Sequence, residues 1–344
     1  MNKSSTIFQE TDRILLAHGS GGELSHELVT SLFVRTFHNP FLDPLDDGAV
    51  FQVEGKRWAF TTDSYVVTPI FFPGGDIGKL AVCGTVNDLS MIGAQPLFLS
   101  AGFIIEEGFP LSSLEKIVSS MQKAAAEAGV KIVTGDTKVV NRGGADGIFI
   151  NTAGIGLIPE GVNISGSYAR PGDRVILSGS IGDHGVAILS SREGLQFSTS
   201  LESDCASLND LVARMLEVSY KIHCLRDPTR GGLSSTLNEL ARQSGVGIWV
   251  DEDRIPIKEE VRGACELLGF DPLILANEGR LVAVVAEEVA EMILQQMKTH
   301  RLGRDVAIIG EVREEPREKV ILRTRLGLTR IVDMIVGEPL PRIC

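Results

Sequence analysis

The sequence predicts an α+β protein of two domains, on three observations. The chain has 344 residues, and a domain usually takes about 100–200. Strand-like and helix-like stretches are mixed in both halves without a regular βαβ alternation. A loop rich in Gly, Ser and Pro, from Gly161 to Gly172, breaks the chain near its middle and marks the boundary. Hydrophobic residues make up 43% of the chain, enough for two sizeable cores.

Taken in order, residues 1–39 begin polar and reach the run His18-Gly19-Ser20-Gly21-Gly22. That run is too glycine-rich for a helix or strand interior and is mobile unless something binds it. A helix is expected from Glu23 to Phe37. Ala49–Val53 and Trp58–Thr62 flank the turn Glu54-Gly55-Lys56, a hairpin pattern. Asp76 is placed to cap a helix running to Gly93, with Pro96 as a stop. Ser112 and Glu115 form a capping-box pattern. Apolar residues then recur at helical spacing up to Gly129. Val130–Val133 and Ile148–Ile158 read as strands. The second half restarts with the strand Val175–Leu177. Helices are expected near 208–219, 233–243, 258–268 and 286–300, and strands at 281–285, 306–310 and 319–323. The last eight residues, Gly337 to Cys344, contain two prolines and read as an extended tail of about 25 Å.

Charge and cysteine content exclude some classes of function. Lys plus Arg is 33 and Asp plus Glu is 45, a net charge of −12. Such a chain binds phosphate backbones poorly, so no nucleic-acid partner is expected, while a single nucleotide needs only one local cationic or metal-filled site. Five cysteines with no CxxC pair argue against a disulfide framework. With neither a signal-peptide core nor a run of about 18 apolar residues, the expected location is the cytoplasm, with no membrane partner.

The chemistry-bearing residues fall into three groups. Asp46-Asp47, Asp63, Asn87-Asp88 and Asp136 stand at strand ends or inside an apolar helix. Singly, each Asp also fits a turn or cap. Together, carboxylates repel unless a cation or protons join them, and Mg²⁺ suits such a set because it takes oxygen ligands and bridges phosphates. Lys138, two residues after Asp136, is a cation able to neutralise a phosphoryl group, or simply a solvated lysine. Glycine-rich turns occur at 19–22, 179–185 and 226–232, none of them a Walker motif. Cys344 sits on an arm long enough to be loaded in one place and used in another, or is simply a terminal cysteine without a role.

In order along the chain, Asp46-Asp47-Gly48-Ala49-Val50, Thr61-Thr62-Asp63, Gly84-Thr85-Val86-Asn87-Asp88, Gly135-Asp136-Thr137-Lys138 and Asp227-Pro228-Thr229-Arg230-Gly231-Gly232 resemble the aminoimidazole ribonucleotide synthetase-like (PurM-like) superfamily. His18-Gly19-Ser20-Gly21-Gly22, Asn277-Glu278-Gly279 and the terminal Pro341-Arg342-Ile343-Cys344 are similar to its hydrogenase-maturation branch. The resemblance covers essentially the whole chain. It implies an N-terminal segment (1–39), a PurM-like ATP/Mg domain (40–160) whose sheet forms a homodimer core, a second α+β domain (161–336) and a flexible tail (337–344). It implies ATP and Mg²⁺ as cofactors, with Asp47, Asp63, Asp88 and Asp136 as metal or phosphate carboxylates and Asn87, His18, Gly19, Gly21 and Gly22 as nucleotide contacts.

The implied activity is an ATP-dependent carbamoyl dehydratase. A HypF-type carbamoyltransferase loads Cys344, the S-carbamoyl group becomes S-cyanide, and a HypC–HypD complex accepts the cyanide for hydrogenase iron. Lys138 is the expected γ-phosphate cation and Glu278 the expected base. Two other readings stay open on the residues: an ATP-binding carrier that presents Cys344 without turnover, and another PurM-like ATP-dependent synthetase. The lack of an N-terminal reactive cysteine weighs against selenophosphate synthesis, since Cys83 comes first and lies in a helix.

Overall fold

The computed structural model describes residues 13–192, 201–337 and 342–344. The polar start of the chain and residues 338–341 of the expected tail lie outside the described residues. After the 3-10 turn Leu16–Gly19, the expected helix runs as Glu23–Leu28 (α1), a π-helical stretch Val29–Val34, and Arg35–Phe37 (α2). The hairpin forms as read, from Ala49–Val53 (β1) and Lys56–Tyr65 (β2), with Ala49 opposite Phe60. Glu54 and Gly55 both have positive φ, 49° and 78°, which matches the twist of a tight antiparallel connection.

A small ribbon, Phe71–Phe72 (β3) with Gly75–Asp76 (β4), leads into helix Ile77–Met91 (α3). The Asp76 carboxylate caps α3, accepting from the N–H groups of Gly78 and Lys79 at 2.7 and 3.1 Å. Gln95–Glu106 (β5), Leu111–Ala128 (α4), Lys131–Val140 (β6) and Ile148–Ile158 (β7) complete the domain. The capping box is not used. Helix α4 already begins at Leu111 with Pro110 at its N-cap, so Ser112 lies inside the first turn.

The sheet order is β1-β2-β7-β5-β6, with only β5 and β6 parallel. Strand β5 departs from the sequence expectation, because Pro96 reads as a stop. It is tolerated because the register slips between Pro96 and Phe98, at an irregularity where the missing N–H disturbs the ladder least. Helices α3 and α4 cover one face, burying Ala59, Leu99, Ile117 and Ile150. The other face is open. Phe60, Phe98 and Ile104 on it are 46%, 43% and 45% exposed, and β6 is exposed along nearly its whole length.

The second domain contains Arg174–Leu177 (β8), Asp183–Ser190 (α5), Asn209–Val218 (α6), Ile222–Arg226 (β9), Gly232–Ser244 (α7) and Gly247–Asp251 (β10). Glu259–Leu268 (α8), Val282–Val285 (β11), Glu287–Lys298 (α9), Ala307–Arg313 (β12), Lys319–Arg323 (β13) and Thr329–Val332 (β14) follow. Its seven-stranded sheet runs β14-β13-β10-β12-β8-β11-β9. Strand β11 is buried at every residue and β8 at three of four. The four helices expected here are present. Helix α5 and strands β9, β10 and β14 are additions that the sequence pattern does not single out.

Candidate functional site

A pocket of about 360 Å³ opens where the two domains meet, lined by Asp47, Asp63 and Asp88 from the first and by Arg226, Asp227 and Arg230 from the second. Asp88 projects from α3 and accepts from the Thr61 hydroxyl at 2.9 Å. The same hydroxyl also reaches the Asp47 carbonyl at 2.8 Å, tying the loop before β1 to β2. Asp47 pairs with Arg226 at 2.5 Å, and Glu239 stands 3.4 Å from the same guanidinium. Its neighbour Asp46 has a different duty, accepting from the Ser165 hydroxyl and the Gly166 N–H across the domain boundary.

The crowding has electrostatic consequences. Burial lifts Asp47 to about 6, against the pull of Arg226. Burial and the neighbouring Asp47 raise Asp227 to about 8. Asp88 stands well above the usual carboxylate range through burial, then Asp227, Asp63 and Asp47. Asp47 keeps Arg226 as its partner, while burial favours the protonated forms of Asp88 and Asp227, as expected for a set built to receive a cation. The described residues contain no group of three or more His, Cys, Asp or Glu already arranged to hold a metal by itself. Mg²⁺ commonly takes only one or two carboxylates and shares its remaining positions with water and a nucleotide's phosphates. Asp47, Asp63, Asp88 and Asp227 are the residues that would hold it.

The glycine run borders this pocket through His18, Gly19 and Gly21. Gly21 has φ of +73°, and a Cβ there would sit 2.6 Å from the Arg230 carbonyl oxygen. A Cβ on Gly22 would sit 2.2 Å from the Ile335 carbonyl oxygen. These glycines permit close backbone contact with the Arg230 loop and with the chain leading to the tail. Gly22 packs there instead of lining the pocket. The Arg230 guanidinium in turn donates to the Gly19 carbonyl at 3.1 Å.

Arg230 and Gly19 also line a second, smaller pocket of about 60 Å³, together with Val66, Arg342, Ile343 and Cys344. The end of the expected tail is therefore seated beside the acid pocket. Val66 N–H donates to the Cys344 carbonyl oxygen at 3.3 Å and Thr68 N–H to that of Arg342 at 3.1 Å, in antiparallel sense just beyond β2. The Arg342 side chain returns a bond to the Val66 carbonyl at 2.9 Å and pairs with Asp146. Ile343 is buried in the core. The other four cysteines are buried, while Cys344 is only partly covered.

Glu278 is 3% exposed and its Oε1 has no hydrogen-bond partner among the described residues. Burial, then Asp227, Asp204 and Asp63, hold it well above the usual carboxylate range, with Arg230 opposing. Its neighbour Asn277 locks three loops: its Oδ1 accepts from Gly182 N–H at 2.7 Å and its Nδ2 donates to the Pro228 and Leu275 carbonyls, both at 2.9 Å.

Three more of the expected site residues stand elsewhere. Asn87 is buried, with both ends of its amide engaged: Nδ2 donates to the Ala206 and Glu278 carbonyls and Oδ1 accepts from Leu208 N–H. It staples the domains together, and both amide hydrogens are spent on carbonyls within the protein. Asp136 does not end a strand but lies inside β6. Asp63 is opposite Thr152, Thr152 opposite Ala101, and Ala101 opposite Gly135. Asp136 therefore faces the other side of the sheet, three strands or about 14 Å away. Lys138 accompanies it in a 2.8 Å ion pair, both side chains more than two-thirds exposed. Neither reaches the acid pocket of its own chain. Sequence reasoning missed Asp227 and Arg230 as site residues, although both lie in the motif Asp227-Pro228-Thr229-Arg230-Gly231-Gly232.

The fold and the acid pocket between its halves define the AIR synthase-related class. The N-terminal domain model of AIR synthase related proteins matches residues 45–158 and the C-terminal domain model residues 170–323. The carbamoyl dehydratase HypE of Azotobacter vinelandii is 56% identical over 329 residues, 96% of either chain. A crystal structure of hydrogenase maturation protein HypE in complex with ATP is 53% identical, covers 96% of this chain and 100% of its own, and superposes with a TM-score of 0.81. HypE in a HypE–HypF complex, also 53% identical, covers 90% and 99% with a TM-score of 0.86. The chain belongs to the HypE family of hydrogenase maturation proteins. No helix among the described residues is long and apolar enough to cross a membrane.

Proposed function

We propose that the protein consumes ATP to dehydrate an S-carbamoyl group on Cys344 to an S-cyanide, the ligand destined for hydrogenase iron. The observation that carries this reading is the shared wall: Arg230 borders both the acid pocket and the seat of Cys344. A phosphoryl donor in one and a thiocarbamate in the other would meet at a single guanidinium. The names of the relatives and the ATP complex of one of them support the same assignment.

The carbamoyl oxygen is a poor leaving group. In the proposed reaction it attacks the γ-phosphorus of ATP, ADP departs, and the nitrogen gives up one proton, leaving an S-bound imidoyl phosphate. The C–O bond then breaks, phosphate leaves with its electron pair, and loss of the second N–H proton completes the nitrile. Arg230 stabilises the charge on the transferring phosphoryl group. Bound Mg²⁺ supplies charge neutralisation at the phosphates and the surrounding carboxylates. With its neighbours neutralised, Glu278 gives up its own proton and serves as the base. His18 and Gly19 border the nucleotide pocket.

A HypF-type carbamoyltransferase loads Cys344 and a HypC–HypD complex takes the cyanide in this reading. Two copies pair through the open sheet face around Phe60, Phe98 and Ile104. Asp136 and Lys138 then serve the partner's site, since neither reaches its own.

The test follows the intact mass of the C-terminal peptide after partner-catalysed carbamoylation, with and without Mg-ATP. Loss of one water, only with Mg-ATP and not in Glu278→Gln, is the expected result. Loading without water loss would leave a carrier. Mixing Lys138→Ala with Glu278→Gln should restore activity by subunit complementation; failure to do so rejects the shared site.

A further inference from the structure

The histidine in the second glycine run has no part in the chemistry above, yet it touches the tail. His184, in the first turn of α5, is completely buried. Its Nε2 lies 2.8 Å from the Ile343 carbonyl oxygen and its Nδ1 2.8 Å from the Ser203 hydroxyl. The partners fix the tautomer. A carbonyl only accepts, so Nε2 carries the proton and donates it. Nδ1 then accepts from the Ser203 O–H, whose oxygen in turn accepts from Cys205 N–H at 3.0 Å. The Phe72 ring meets the imidazole edge-on, with centroids 5.5 Å apart. The chain of donors thus runs from the loop at 203–205 through His184 to the peptide next to Cys344.

We propose that His184 is a positioning residue that latches the tail in its seat, through an Nε2–H bond to the carbonyl immediately before Cys344, and so sets the balance between a seated and a released Cys344. The tail's end is also held by Val66 and Thr68, which offer main-chain groups, and by the Arg192 guanidinium, which donates to the Arg342 carbonyl at 3.2 Å. His184 differs from these in being a completely buried side chain that grips the residue beside the thiol. A seated Cys344 lines one pocket with Arg230, whereas a released one is open to other proteins. The consequence for turnover rests on the dehydratase reading: weakening the latch would slow dehydration and speed loading.

The latch can be tested without ATP or a partner protein, by the rate at which iodoacetamide alkylates Cys344, read on the C-terminal peptide. The four buried cysteines report global opening. His184→Phe fills the space but cannot donate, and should speed alkylation about tenfold, the worth of one buried hydrogen bond. His184→Gln places an N–H near the Nε2 position and should restore most of the wild-type rate. Ser203→Ala removes the donor to Nδ1, leaves the ring in place, and should give about a threefold increase. In carbamoyl-loaded protein, dehydration should slow in the same order while ATP affinity stays unchanged. An unchanged alkylation rate in His184→Phe overturns the proposal, as does equal acceleration in Phe and Gln. If His184→Phe fails to fold, Ser203→Ala decides by the same measure. Wild-type protein that never dehydrates would reject the function proposed above, yet the alkylation ranking would still stand or fall by itself.

Discussion

The two sides of Arg230 are built from opposite materials. The acid pocket is crowded with carboxyls that burial leaves short of countercharge, and its side chains come from both domains. The tail seat is lined by main-chain groups and a buried isoleucine, and nearly every polar contact in it is already satisfied. One side waits for charge to arrive, while the other reads a short length of peptide. Gly19 and Arg230 line both, and Arg230 is the one charged side chain they share, so in the proposed reaction recognition of the carrier arm and activation of the nucleotide meet at its guanidinium.

The sharpest way to break that meeting point is to remove the shared group. Arg230→Ala should lower single-turnover nitrile formation by about 10²–10³-fold and also speed alkylation of Cys344; mass analysis of the terminal peptide reads both. A loss confined to one readout would show that the two sides do not share this residue. Asp88→Asn should act on the acid side alone. A loss on the order of 10² in dehydration is expected, with ATP-dependent phosphate release falling alongside and Cys344 alkylation unchanged.

Gly21→Ala should disturb both pockets through the backbone. It forces a side chain into a left-handed conformation worth about 1–2 kcal/mol and drives it onto the Arg230 carbonyl. A lower melting temperature with both readouts impaired is expected, and a neutral substitution would refute the close packing.

The smallest effect is electrostatic. Asp47 and Asp227, raised to about 6 and about 8, bind protons more tightly folded than unfolded. The folded chain therefore carries extra protons between their unfolded and folded pKa values, and stability falls as pH rises through that window. The melting temperature of metal- and nucleotide-free protein should drop by a few degrees, about 2–4 °C, between pH 6.5 and 8.5. Asp227→Asn should flatten the slope. A wild-type curve that climbs over that range would contradict the buried-acid account.

Much of this organisation is legible in the sequence where a local rule operates. The hairpin at Glu54-Gly55, the Asp76 cap and the helix ending at Gly129 each follow from a few neighbouring residues. The ordered aspartate motifs point to a nucleotide site through the family they resemble. What escapes is set by distant partners. Strand β5 hides behind Pro96, whose missing N–H is tolerated only because the register slips against β7. The opposite faces taken by Asp63 and Asp136 depend on a three-strand ladder that no local pattern encodes. Asn87 sits beside Asp88 in the same motif, yet its amide is spent on the loop at 206–208 and on Glu278. Asp227 and Arg230 belong to a motif read for its glycines, and only the placement of β9 brings their side chains to the acids. The tail reads as an arm, and nothing in its eight residues announces that His184 and Val66 will receive its end.

Asn277 carries a consequence of a different kind. One amide oxygen faces a main-chain donor and one amide nitrogen faces two carbonyls, holding together the loops that lead to the tail seat and to the acid pocket. Aspartate has the same outline but would present oxygen to both carbonyls. In genetic terms, one transition in the first base of this codon would leave size and shape intact and reverse the polarity of the knot. Direct hydrolysis of the amide would make the same change in protein already synthesised. Position 277 is therefore where inherited variation and chemical ageing would converge on an identical defect, visible as a loss of both pockets together.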